Sequence, residues 1–199
     1  AGSIANSKLA TDPLNASNLA SGTVPTARLG SGTASSSNFL RGDGSWQSAG
    51  GDNTPYFFGR KDSDQAISRN TMTNVNQFTT NEIDSDSAFD GETFTVPSGE
   101  GGVYFFAALI ESSFASIGND GERILATFEK NGGESGMPRQ DFAKGSGYNI
   151  QRFGNSITGL ISMSAGDTMN VAVYNKDGDA SGNAQCTNNS FFMGFKIIT

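Results

Sequence analysis

The apolar residues of the first 46 positions recur at every fifth residue. They are Ile4, Leu9, Leu14, Leu19, Val24, Leu29, Ala34 and Phe39. A spacing of five matches neither the period of a helix nor that of a strand. We therefore predict short extended pieces separated by turns, which bury their apolar side chains only by stacking or by winding with partner chains. The alternative, based on composition, is a disordered linker rich in Ser and Gly.

A turn and a linker follow this repetitive segment. Gly42-Asp43-Gly44 is a turn signal, and Trp46 is a predicted anchor beside it. Arg41-Gly42-Asp43 also matches the integrin-recognition tripeptide, but so short a motif arises easily by chance and we interpret it as part of the turn. The sequence thus predicts a repetitive extended shaft over residues 1–46, a linker over 47–54 and a head domain over 55–199.

From Tyr56 onward, short runs of aromatic and β-branched residues alternate with turns that contain Gly. The runs cover residues 56–60, 75–80, 94–96, 103–111, 123–130, 156–163, 168–174 and 190–198. No segment combines a helical period with helix caps. Many short strands joined by Gly turns predict an all-β fold, which is a sandwich, a jelly roll or a barrel.

The run from Val103 to Ile110 is apolar at every position, and the turn Pro97 to Gly102 precedes it. A strand in a sheet with one solvated face alternates apolar and polar residues. Both faces of this strand are therefore expected to be covered, one by the core and the other by a second layer or another copy of the chain. We expect the face of Tyr104 to meet the copies, because a buried phenol can reach a partner or a trapped water.

The charge balance argues against two classes of partner. The net charge is −7, from 13 basic and 20 acidic residues, and the basic residues form no cluster along the chain. Nucleic acid and anionic membranes require a basic surface, so neither is an expected partner. No run approaches the ~20 apolar residues of a membrane helix, so membrane insertion is not expected. No secretion signal is recognised at the start of the sequence.

The residue inventory limits the chemistry. The chain has no histidine, which excludes Ser-His-Asp and Cys-His catalysis and His-based zinc sites. A glycan hydrolase would need two carboxylates at a fixed distance, one of them with a raised pKa, and no pair is marked as such. We therefore expect no enzymatic activity. Cys186 is the single cysteine, and we interpret it as a small buried hydrophobic residue.

Three carboxylates alternate with other residues at Glu82, Asp84 and Asp86. In an extended chain they share one face, where they could hold Ca²⁺ through several oxygens. The alternative is a solvated edge that discourages pairing with another sheet. No other cofactor is predicted.

Six segments of the head resemble, in order, the jelly-roll head shared by complement C-one-q and the tumour necrosis factor ligands. They are Phe78 with Asn81, Phe89 to Pro97, Gly102 to Phe106, Phe128 to Gly132, Ile157 to Val171, and Ser190 to Phe195. The resemblance implies a homotrimer with an aromatic-rich interface along its threefold axis. It implies interface positions on two strands, namely Tyr104, Phe106, Ala108, Ile110, Phe191 and Phe195.

The N-terminal part resembles repeats of bacteriophage tail-fibre and virion-fibre proteins through Gly22 to Gly30 and Phe39 to Trp46. This resemblance implies an extracellular virion protein on a tail or another surface appendage. Its head would attach the virion to a host cell-surface glycan or outer-membrane protein, and its N-terminal end would meet other virion proteins. The receptor-binding candidates, chosen as loop residues, are Asp177, Asp179, Asn183, Arg139 and Tyr148. The alternatives are a structural fibre without receptor binding and a carboxylate-based glycan depolymerase.

Overall fold

The computed structural model describes residues 25–48, 53–114, 123–134, 136–143, 152–176 and 184–197. The side chains of Asn81, Glu82 and Phe114 lie outside this description. The chain divides into two compact units, Ala1–Gly51 and Asp52–Thr199. The division falls within the predicted linker.

The described part of the first unit contains a short 3-10 helix, Thr26–Arg28, and a hairpin of β1 (Asn38–Leu40) and β2 (Trp46–Ser48). At the predicted Gly-Asp-Gly turn, the Arg41 amide donates to the Ser45 carbonyl at 2.9 Å. The Asp43 carboxylate accepts from the Ser45 hydroxyl at 2.6 Å and from the Ser45 amide at 3.0 Å, and these two bonds hold the pKa of Asp43 below its usual value. The turn prediction is therefore confirmed.

The apolar shaft positions are only partly within the described residues. Leu29 is 42% exposed and Phe39 is 46% exposed. Ile4, Leu9, Leu14, Leu19 and Val24 lie outside the described ranges. Burial of these side chains by partner chains stays a prediction.

The second unit is built of strands, which confirms the all-β prediction. They are β3 (Tyr56–Arg60), β4 (Gln65–Ile67), β5 (Met72–Asn74), β6 (Thr80–Asp84), β7 (Phe94–Thr95), β8 (Gly102–Phe114), β9 (Arg123–Lys130), β10 (Arg139–Ala143), β11 (Arg152–Met163), β12 (Thr168–Lys176), β13 (Ala184–Cys186) and β14 (Phe191–Lys196). Among the described residues, no helix is long and apolar enough to cross a membrane.

The strands form two sheets, with antiparallel pairing throughout the named pairs. The first sheet has the order β4-β13-β8-β14-β3-β6, with β11 on the other side of β8. The second sheet has the order β10-β9-β12-β5, and β7 also pairs with β12. Eight of these strands follow the order β3-β14-β8-β11 in one sheet and β7-β12-β9-β10 in the other. This order is that of a jelly roll.

One predicted strand is wrong. Residues 75–80 connect β5 and β6, and only Thr80 belongs to a strand. Gln77 has a φ of 61°, which interrupts an extended run, and the backbone bonds go to separate partners. The Val75 amide donates to Val171, and the Phe78 amide donates to Gly91. The short strands β4, β5, β10 and β13 were not predicted, and of β6 only Thr80 was.

The core lies between the two sheets and is rich in phenylalanine. Phe57, Phe106 and Phe192 come from the first sheet and Phe128 from the second, and all four are buried. The ring centroids of Phe106 and Phe128 lie 6.0 Å apart, and those of Phe128 and Phe192 lie 5.9 Å apart. These contacts join the inner faces of the two sheets, as in other sandwiches. They leave the two outer faces available for function.

Candidate functional site

The outer face of the first sheet carries apolar side chains in register across neighbouring strands. One row comprises Leu160, Phe105, Phe195 and Tyr56 on β11, β8, β14 and β3. The next row comprises Ala107, Met193, Phe58 and Ile83 on β8, β14, β3 and β6. A third row contains Leu109 and Phe191. We call these ten residues the apolar outer face.

The apolar outer face is exposed to an unusual degree. Leu160 is 66% exposed, Ile83 is 55% exposed and Tyr56 is 42% exposed. The aromatic side chains between them are half-buried and pack on one another, with ring centroids 5.3 Å apart for Phe105 and Phe195. Large contiguous apolar patches are rare on monomeric proteins and mark interaction sites.

A depression of about 320 Å³ lies at one end of this face. Its outer-face lining consists of Tyr56, Phe58, Ile83, Met193 and Phe195. A surface that is both apolar and indented can pack closely against a protein surface of complementary shape.

The prediction for the tyrosine face is wrong. Tyr104, Phe106, Ala108 and Ile110 are at most 3% exposed and point into the sandwich. The Tyr104 hydroxyl finds its hydrogen-bond partner within the chain, since it donates to the Glu100 carbonyl at 2.6 Å. Burial is the main cause that raises the pKa of Tyr104 to about 12.

The predicted interface residues therefore lie on two opposite faces. Phe191 and Phe195 belong to the apolar outer face, together with Phe105, Ala107 and Leu109 of β8. The four β8 residues of the prediction belong to the core. The sequence correctly indicated that β8 has two apolar faces, but the face predicted to meet the copies lies in the core.

A second candidate site is a groove on the outer side of the second sheet, with a volume of about 350 Å³. Its lining residues come from β5, β9, β10, β12 and the turn after β9. They are Met72, Arg123, Leu125, Glu134, Arg139, Tyr174 and Lys176. We call it the basic groove because three of its side chains are cationic and one is anionic.

The strand register explains why these residues meet. Arg123 is paired with Lys176 across β9 and β12. Leu125 is paired with Tyr174, which is paired in turn with Met72 on β5. Arg139 lies at the start of β10, two positions from Asp141, which is paired with Leu125. Four strands thus place the groove residues side by side.

One cation of the groove is neutralised. Arg123 forms an ion pair with Asp141, in which two guanidinium nitrogens donate to the two carboxylate oxygens. The hydrogen bond holds the pKa of Asp141 below its usual value and raises the pKa of Arg123. In the described part of the chain, neither Arg139 nor Lys176 forms an ion pair.

The structure changes the position of one receptor-binding candidate. Arg139 was predicted in a loop and lies instead at the exposed start of strand β10, in the basic groove. The four other candidates, Asp177, Asp179, Asn183 and Tyr148, lie outside the described residues.

The acidic run of the predicted Ca²⁺ site is only partly described. The Asp84 carboxylate accepts from the amides of Ala88 at 3.1 Å and Phe89 at 2.9 Å, so it orders the turn after β6. Asp86 lies in that turn and accepts from the Ser85 hydroxyl. Among the described residues, no group of three acidic, His or Cys side chains is placed to hold a metal. The Glu82 side chain is not described, so the three-carboxylate site stays a prediction.

Leu160 is the most exposed large apolar side chain of the described residues, and it was not predicted as an interface residue although the sequence around it carries a signal. In β11, Ile157, Ile161 and Met163 share the buried face. Leu160 stands alone among Ser and Thr on the other face. A lone large apolar residue on the polar face of a strand indicates a contact beyond the core.

Comparisons with known proteins gave a single kind of match. No protein-family model matches the chain, and no curated protein matches it. Among solved structures, the chain is similar to one titled "Globular Domain of Zebrafish Complement 1qA protein". The two are 15% identical, the match covers 72% of this chain and 98% of the other, and the TM-score is 0.46.

Proposed function

We propose that this chain is a homotrimeric bacteriophage fibre protein whose C-terminal head attaches the virion to a receptor on the host cell surface. The trimer is proposed from the apolar outer face, because its residues Leu160, Ile83 and Tyr56 are exposed to water among the described residues of the single chain. The resemblance of residues 22–30 and 39–46 to phage fibre repeats supports the fibre and the virion location.

The composition of the apolar outer face favours a permanent protein contact. Its two longest rows contain no charged side chain, and aromatic residues dominate the first row. Cores of homo-oligomer interfaces are depleted in charge and enriched in aromatic residues and Met. Their burial removes apolar area from water, which is the main favourable term in association.

Trimer formation also explains how receptor contacts that are weak individually give strong attachment. Three identical heads present three copies of any receptor site on one rigid body. Once one site is bound, the others bind at a high effective concentration. The exposed apolar positions of the shaft, Leu29 and Phe39, would be covered by the same partner chains.

The first test of this proposal is the mass of the protein in solution. Light scattering and native mass spectrometry should give three times the chain mass of 20.8 kDa at micromolar concentration. Leu160→Lys and Ile83→Lys place charges on the apolar outer face and should shift the protein towards monomer. Both side chains are more than half exposed, so the variants should fold.

A matched control is Thr95→Lys, because Thr95 is exposed on the second sheet. It should remain trimeric. A wild-type monomer, or dissociation by the control as strong as that by Leu160→Lys, would contradict the proposed interface.

Attachment is tested separately from assembly. Fluorescently labelled protein should bind the surface of susceptible bacterial cells, and unlabelled protein should compete. A stable trimer that binds no cells would favour the structural fibre without receptor binding.

A further inference from the structure

We propose that the basic groove binds an anionic saccharide, in which a carboxylate or phosphate group lies against Arg139 and Lys176. This inference deepens the proposed attachment function and rests on it for its biological meaning. The site itself is argued from the groove residues alone.

The groove is basic although the protein as a whole is acidic. The protein carries a net charge of −7, yet the groove is lined by three basic residues and one acidic residue. Arg123 and Lys176 are direct cross-strand neighbours. Like charges in this position destabilise a sheet unless an anion compensates them.

The protein itself neutralises only part of the positive charge in the groove. Asp141 pairs with Arg123 and lies on the outer strand β10. Three other basic residues of the second unit form ion pairs among the described residues: Lys130 with Asp167 and Lys196 with Glu100, both at 2.8 Å, and Arg152 with Glu111 at 3.5 Å. Arg139 and Lys176 form no ion pair among the described residues, although the charge of Arg139 also helps to lower the pKa of Asp141, and both line the same groove. An anion from outside the chain would complete the arrangement.

The other residues that line the groove indicate which type of molecule carries the anionic group. Tyr174 is partly exposed and supplies an aromatic ring on which the C–H face of a sugar can pack, and its cross-strand neighbour Leu125 lies buried beneath the groove. Glu134 supplies carboxylate oxygens that accept hydrogen bonds from sugar hydroxyls. A ligand with both an anionic group and hydroxyl donors therefore matches the groove.

The size and charge distribution favour a saccharide over a nucleic acid. The groove volume of about 350 Å³ lies at the lower end of small-ligand sites, so it accommodates one or a few sugar units. A densely charged polymer would meet the acidic remainder of the protein, whereas a polysaccharide with one anion per repeat would not. Arg139 can bind a carboxylate or a phosphate with two parallel hydrogen bonds.

Calorimetric titration of the full chain tests the groove with three probes. These are oligogalacturonate for the carboxylate, a glycerol-phosphate oligomer for the phosphate, and a neutral galactan oligomer. We expect binding of one of the two anionic probes and none of the neutral probe. Arg139→Gln and Lys176→Gln should each weaken that binding about ten-fold or more, because each removes a charge-assisted hydrogen bond.

Arg41→Gln is the matched control, since Arg41 is an exposed cation in the first unit and does not line the groove. It should bind as tightly as the wild type, and all variants should keep the wild-type melting temperature. Equal weakening by Arg41→Gln, equal binding of the neutral probe, or no binding of either anionic probe would overturn the proposal.

Two further results separate this inference from the attachment function. If neither anionic oligomer binds the protein, while the wild type, Arg139→Gln and Lys176→Gln bind cells equally well, the groove assignment fails and attachment stands. If the oligomers bind in the groove but no cell is bound, attachment fails and the groove assignment stands.

Discussion

At the residue scale, Asp167 shows how one carboxylate holds two turns together. It lies between β11 and β12 and accepts from the Lys130 ammonium, the Asn131 amide group and the Ser164 backbone amide, each at 2.8 Å. The Asn131 side-chain oxygen in turn accepts from the Thr168 amide at 2.8 Å. The turn after β9 is thereby tied to the turn before β12. The Lys130 bond is the first of the causes that hold the pKa of Asp167 far below its usual value.

This depressed pKa predicts a pH dependence of stability. The charged form is favoured in the folded state, so its contribution is present above the unfolded-state pKa of about 3.9. It is lost progressively as the pH falls below that value towards the folded-state pKa. We expect Asp167→Asn to lower the free energy of unfolding at pH 7 and to have a smaller effect at pH 3, as measured by urea denaturation.

Glu92→Gln is a suitable control, because Glu92 accepts one long side-chain bond of 3.3 Å from Asn74. It should change stability little at either pH. If the effect of Asp167→Asn were the same at pH 7 and pH 3, the proposed role of its charge would be wrong.

At the element scale, β14 depends on the absence of a side chain at Gly194. A Cβ at this position would lie 2.5 Å from the Phe106 ring and 2.8 Å from the Phe57 ring. Both rings are at most 2% exposed and pack in the core. Gly194 therefore allows two phenylalanines from β8 and β3 to pack over the middle of β14.

We predict that Gly194→Ala lowers the free energy of unfolding by about 1–3 kcal/mol, the usual cost of overpacking a core. Thermal or urea denaturation measures this change. Gly101→Ala is the comparison, since its Cβ would meet ordinary contacts at 3.5 Å or more, and should cost no more than about 0.5 kcal/mol. Equal costs for the two variants would show that the clash with the two rings does not determine the stability of the Gly194 variant.

At the scale of the whole molecule, the core belongs to one of the two units. Every residue of the buried apolar cluster lies between Phe57 and Phe192. Cys186 is part of it and is fully buried, which raises the pKa of its thiol to about 11. A thiol of this kind reacts only when the protein opens, because the thiolate is the reactive form.

A fragment of residues 52–199 is therefore expected to fold on its own. Its melting temperature should lie within about 4 °C of that of the full chain, which corresponds to a difference of roughly 1 kcal/mol or less. Cys186 in the fragment should be as protected from a thiol reagent as in the full chain, with rapid reaction in denaturant. Fast labelling of the native fragment would show that residues 1–51 are needed for the fold.

The sequence by itself determined the features that depend on local pattern. The run from Arg123 to Lys130 predicted β9 at its observed bounds, and the Gly-Asp-Gly turn of the first unit appears where its residues place it. The unbroken apolar run after Val103 correctly indicated a strand with two apolar faces. These features follow from side-chain alternation and backbone preference within a few residues.

Only the tertiary structure decided which face of β8 is internal and which residues form the basic groove. Both faces of β8 are apolar, and the face of Tyr104 packs in the core, where the Tyr104 hydroxyl donates to the Glu100 carbonyl. Arg123, Arg139 and Lys176 are distant in sequence and meet because β9 pairs with β10 and β12 in one register. Register depends on which faces of both paired strands are buried and on the geometry of the turns, so one segment of the sequence does not fix it.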